Sequence, residues 1–79
     1  MTLDLILLNC LDLIPAPNMA KRNALLADAR MESEEEVTLE DFKRSLRVLE
    51  KLEQVRIDSG DVVRVAITAR GRNRVAEAR

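Results

Sequence analysis

TLEDFKRSLRVLEKLEQVRIDSGDVVRVAI, residues 38–67, reads as one helix that runs directly into a β-hairpin. Leu39, Phe42, Leu46, Leu49 and Leu52 recur at spacings of three and four, the apolar stripe of an amphipathic helix. Lys43, Arg44, Arg47 and Lys51 fall on the other side of that helix, and the strands that follow bring Arg56 and Arg64. Thr38 is placed to cap the helix, with Asp41 three residues on completing an approximate capping box. Val37 and Phe42 stand at the two positions of a hydrophobic staple. Glu40 and Asp41 add negative charge where the helix dipole favours it. The helix is expected to extend to about Glu53.

Parity constrains the hairpin. Val55 and Ile57 share one face of the first strand, and Val63, Val65 and Ile67 share one face of the second. Two- or four-residue loops would turn the second set outward, because a one-residue slip flips every side chain. A three-residue loop, Ser59-Gly60-Asp61, pairs Ile57 with Val63 and Val55 with Val65. Arg56 and Arg64 would then oppose each other at a cost of about 0.2–1 kcal/mol. Either Asp58 and Asp61 relieve that repulsion, or a phosphate sits between the guanidinium groups.

Upstream, Thr2 is placed to cap a first helix running to about Leu13. Its residues are apolar nearly all round, which fits either central burial or a second face used for self-association, here a homodimer through Leu3–Ile14. Ile14-Pro15-Ala16-Pro17 ends it. Asn18 is expected to cap a second helix from about Met19 to Met31, packing through Met19, Leu25, Leu26 and Ala29. The acidic run Glu32-Ser33-Glu34-Glu35-Glu36 reads as a solvated turn, without the alternating ligands and glycine turn of a Ca²⁺ loop. Downstream, Thr68 caps a short last helix anchored by Val75, with Arg70, Arg72, Arg74 and Arg79 expected to be mobile anion binders.

With 79 residues the chain has room for a single domain, 1–79, that buries about 60% of its unfolded surface. Phe42 is its only aromatic residue, so the core is aliphatic. A solitary Cys10 forbids an internal disulfide and suits a reducing, cytoplasmic setting. The apolar run Leu3–Ile14 is too short to span a bilayer, includes Asp4, Asn9 and Asp12, and lacks a basic lead-in. There is no histidine, and Gly60 and Gly71 are the only glycines, so no phosphate-cradling loop exists. No catalytic group, metal site or cofactor is expected, and an enzyme is the least supported class. Charge is divided unevenly: residues 1–42 hold nine acids against three bases, a net −6, and residues 43–79 hold ten bases against five acids, a net +5. Such asymmetry points to one polyanion-facing side.

Leu46-x-x-Leu49-Glu50-x-Leu52-x-x-Val55-Arg56 and Val65-Ala66-Ile67-Thr68-x-x-Gly71-Arg72 resemble recurring stretches of the winged helix-turn-helix superfamily of small bacterial and phage-type regulators. The likeness covers roughly residues 40–74. It implies a mainly α (α+β) fold, a three-helix bundle followed by a two-stranded wing and a short last helix. It also implies double-stranded DNA as the partner, with the third helix in the major groove and the hairpin on the backbone. Lys43, Arg44, Arg47, Lys51, Arg56 and Arg64 would be the nucleic-acid-binding residues. The chain departs from the pattern at Glu40 and Asp41, acids on the helix's first turn, and at Gln54, where a glycine often stands. Affinity for backbone is therefore expected ahead of base reading. The other reading is a winged-helix protein-interaction or dimerisation module without DNA binding.

Overall fold

Three threonines start three helices. In the computed structural model, which describes residues 2–79, Thr2 Oγ1 accepts from the Leu5 N–H at 3.4 Å to open α1 (Leu3–Asp12). Thr38 Oγ1 accepts from Asp41 at 3.1 Å to open α3 (Leu39–Lys51), and Thr68 Oγ1 accepts from Gly71 at 3.2 Å to open α4 (Ala69–Ala78). Each bond satisfies one of the donors that a helix start leaves orphaned.

α2 (Arg22–Glu32) begins without a side-chain cap, and here the structure corrects the expectation that Asn18 starts it. Residues 20 and 21 are instead extended as β1 (Ala20–Lys21), which pairs antiparallel with β3 (Val63–Ile67). The prolines turn the chain, through a cis Ala16–Pro17 peptide, onto a sheet edge whose unpaired backbone groups it satisfies. With β2 (Val55–Ser59) the result is a three-stranded antiparallel sheet in the order β1-β3-β2. The protein is a small α+β structure of four helices and this sheet among the described residues.

The parity of the hairpin is as expected, but its register is offset by two residues. Val55 pairs with Ile67, Ile57 with Val65, and Ser59 with Val63, leaving Gly60-Asp61-Val62 as the loop. Arg56 therefore opposes Ala66 and not Arg64, while Arg64 opposes Asp58. Both registers bury the same valines; the observed one replaces two facing guanidinium groups by a facing acid and base.

α3 buries Phe42, Ser45, Leu46 and Leu49. Leu39 and Leu52, expected inside, are 45% and 48% exposed at the two ends of the stripe. Ser45 takes their place because its hydroxyl donates to the Asp4 carboxylate of α1. The helix stops at Lys51, two residues early. Glu53 adopts a left-handed conformation (φ 58°), its N–H donating to Glu50 O and that of Gln54 to Leu49 O, both at 2.9 Å. That pair of bonds is a Schellman ending, with Glu53 at the position usually held by glycine.

α1 supplies the centre of the core. Ile6, Leu7, Leu8 and Leu11 are buried, and the helix packs against α2, α3, α4 and β3 together. Central placement accounts for the buried leucines of α1, while Leu3, Leu5 and Cys10 are half-buried. Val37, Val55, Val65 and Val75 close the same cluster from the other elements. No helix is long and apolar enough to cross a membrane among the described residues.

Candidate nucleic-acid interface

The periodicity that buries Phe42 and Leu49 places residues 40, 44, 47 and 51 on the opposite side of α3. Arg44, Arg47 and Lys51 are exposed there, beside Glu40, and Lys43 is half-buried on the flank. Arg44 Nη1 lies 3.7 Å from Asp41 Oδ1, an exposed pair that water largely screens. Among the described residues Arg47 and Lys51 have no acidic partner within 4 Å, and both face solvent.

The sheet's outer face is a second cationic surface. Arg56 and Arg64 both point away from the valine side, on adjacent strands. In the observed register they are diagonal neighbours, about 7–8 Å apart at the backbone. Lys21 stands directly across from Arg64 on its other side. The sheet thus presents Lys21, Arg64 and Arg56 together, with the acid Asp58 among them. Arg56 also borders a cleft of about 310 Å³ whose far wall is Pro17 and Asn18. Lys21 was not legible in the sequence. It lies in a stretch with helical composition, and only the pairing of the two-residue β1 reveals that it joins the sheet.

The structure therefore brings Arg44, Arg47 and Lys51 to one helix face, and Arg56 and Arg64 to one sheet face. β2 follows α3 after three residues and packs against it, which links the two surfaces through the backbone. Guanidinium groups held this way suit phosphate oxygens, which their planar forks can grip with two parallel hydrogen bonds.

The last helix behaves differently from expectation. Its arginines have partners on the protein. Arg72 Nη1 donates to Asp12 Oδ1 at 2.9 Å and to Asp12 O at 3.1 Å, and its Nη2 donates to Ile14 O at 2.9 Å. It thereby caps the carbonyl end of α1 and neutralises an acid that the helix dipole disfavours there. Arg79 reaches Asp12 Oδ2 at 3.3 Å, Arg74 donates to Gln54 Oε1 at 2.8 Å, and Arg70 pairs with Glu53 at 3.6 Å. Of the charges that the sequence offered as loose anion binders, Arg72 and Arg74 are held in part-buried bonds, while Arg70 and Arg79 make exposed ion pairs.

Cys10 is a free, half-buried thiol. Burial pushes its thiol pKa up, and the nearby carboxylates of Asp28 and Glu32 push it further. Among the described residues no group of three or more histidine, cysteine or acidic side chains is arranged to hold a metal ion.

A scan against models of known protein families finds no match, and a search of curated proteins finds no relative.

Proposed function

We propose that this protein is a winged-helix nucleic-acid-binding module, with α3 entering the major groove of double-stranded DNA and the β2–β3 hairpin lying on the backbone as the wing. One observation carries the reading: the outward row Arg44, Arg47 and Lys51 belongs to the helix that leads straight into a hairpin bearing Arg56 and Arg64. The chain order β1, α2, α3, β2, β3, with β1 returning to pair with β3, supports the winged-helix assignment. Lys43, half-buried, contributes charge at the helix flank, and Lys21 extends the wing's cationic face. Glu40 and Asp41 put negative charge on the first turn of α3, the turn that would reach base edges, so binding rests on the later Arg44, Arg47 and Lys51 and on the wing, ahead of base reading.

Fluorescence anisotropy with a random-sequence duplex tests this. Affinity is expected to fall with salt at a log–log slope of about −0.9 for each phosphate contacted. The variant carrying Arg44→Glu, Arg47→Glu and Arg64→Glu is expected to lose binding while keeping its circular dichroism. Absence of binding at low salt, or binding unmoved by the triple change, overturns the proposal. The module would then be a protein-docking unit.

A further inference from the structure

The side of the molecule formed by α1, the end of α2 and the loop before α3 carries an open groove of about 930 Å³. Its floor is apolar: Leu3, Ile6, Cys10, Leu13 and Met31. Leu13 and Met31 are 81% and 83% exposed, the two most exposed large apolar side chains among the described residues. Both line this one groove. Unbranched methionine adapts its shape to a partner more readily than a branched residue does.

Its walls are acidic. Asp28, Glu32, Glu34, Glu35, Glu36 and Asp41 line it, and of these only Asp41 has a basic partner within 4 Å among the described residues. The acidic segment is held in place. Glu35 N–H donates to Ser33 Oγ at 3.2 Å, Ser33 N–H to Ala29 O at 3.0 Å, and Arg30 Nε to Val37 O at 3.0 Å. Val37, buried, fixes the far end.

We propose that this groove docks a basic amphipathic helix of a partner protein, its apolar stripe on Leu13 and Met31 and its lysines or arginines against the Glu34–Glu36 wall. Charge selects that occupant. A second copy placed face to face would set six carboxylates against six, which like-charge repulsion opposes. A helix laid in a groove uses anchors at i, i+3 or i+4 and i+7, matching a shallow apolar floor between flanking charges. Apart from Asp41 at the start of α3, the surface is formed by different elements from those of the proposed nucleic-acid interface, so either reading stands or falls alone.

The test uses a synthetic peptide of about 18 residues with leucine at those spacings and lysine and arginine at the flanking positions. Titrated into ¹⁵N-labelled full-length protein, it is expected to shift amides of Leu3–Leu13 and of residues 28–41, leaving β2 and β3 unmoved. Affinity is expected to fall about tenfold between about 50 and 500 mM salt. The double variant Leu13→Gln, Met31→Gln and the triple variant Glu34→Gln, Glu35→Gln, Glu36→Gln are each expected to weaken it about tenfold or more. All five positions are exposed, so thermal melts should be unchanged and duplex affinity unreduced. The proposal is overturned by any of four results: no shifts up to about millimolar peptide; shifts confined to α3 and the hairpin; equal binding of a peptide with glutamate flanks; or a doubled mass with the same shifts for the protein alone, which makes a second copy the occupant.

Discussion

Gly71 and Glu53, eighteen positions apart in the sequence but meeting at one corner of the fold, show how single residues set the turn after α3. A Cβ at Gly71 would lie 2.2 Å from the Gln54 carbonyl oxygen and 2.6 Å from Ile67 Cγ1. The carbonyl is main chain and cannot step aside. Gly71→Ala is therefore expected to cost about 3 kcal/mol in urea denaturation, at the upper end for an overpacked site. Glu53 carries the opposite sign, because it holds a left-handed conformation that disfavours a side chain. Its ion pair with Arg70 is exposed and worth little. Glu53→Gly is expected to raise stability by about 0.5–1 kcal/mol, since the strain relieved exceeds the added freedom of the unfolded chain. Cys10 yields a pH test. Its raised pKa keeps the thiol protonated where a free cysteine already ionises, so alkylation at pH 8 should be slower than that of free cysteine. The same shift leaves stability intact below about pH 9.0, the ordinary value, and erodes it as pH rises further, because the unfolded chain then loses its proton first.

At the scale of elements, what could be read from residues was whatever local chemistry decides. The threonine caps at 2, 38 and 68 and the period of α3 are local, and they are where the sequence placed them. So is the inward face of the hairpin, since parity follows from Val55, Ile57, Val63 and Val65 alone. Register is not local: two solutions two residues apart bury the same set, and only the cross-strand charges at 58 and 64 separate them. β1 escaped for a related reason. Two residues have no period, and their extended form depends on β3 being there to receive them. The observed register makes its own prediction. Arg64→Glu sets two acids face to face and should destabilise the hairpin by about 0.5–1 kcal/mol relative to Arg64→Ala, measured by thermal unfolding. In the unobserved register, with Arg64 facing Arg56, the same change would stabilise it.

For the whole molecule, the central helix and the last one form a closure. α1 buries leucines on several sides, and Arg72 ties its carbonyl end to α4 while Val75 fills the core beneath. Arg72→Ala is expected to cost about 1–2 kcal/mol, the worth of charge-assisted bonds partly open to water. Removal of residues 69–79 should abolish the cooperative thermal transition, since it uncovers the core at Val65 and strips the cap from α1. The candidate cations were legible as charge on one side of a helix, but their separation into builders and free groups was not. Arg70, Arg72, Arg74 and Arg79 look like Arg44 and Arg47 in one dimension; their partners, Asp12, Ile14, Glu53 and Gln54, are remote in the chain.

Gln54 joins these scales. Its carbonyl oxygen accepts the Thr68 amide at 3.0 Å, its side chain accepts Arg74, and Thr68 Oγ1 returns a bond to Glu53 O at 2.5 Å. Amide exchange with deuterium should therefore treat the end of α3 and the beginning of α4 as one opening unit. Protection at Gln54, Thr68 and Arg72 should be lost together, and any ligand gripping α3 should slow the clock of a helix it never touches.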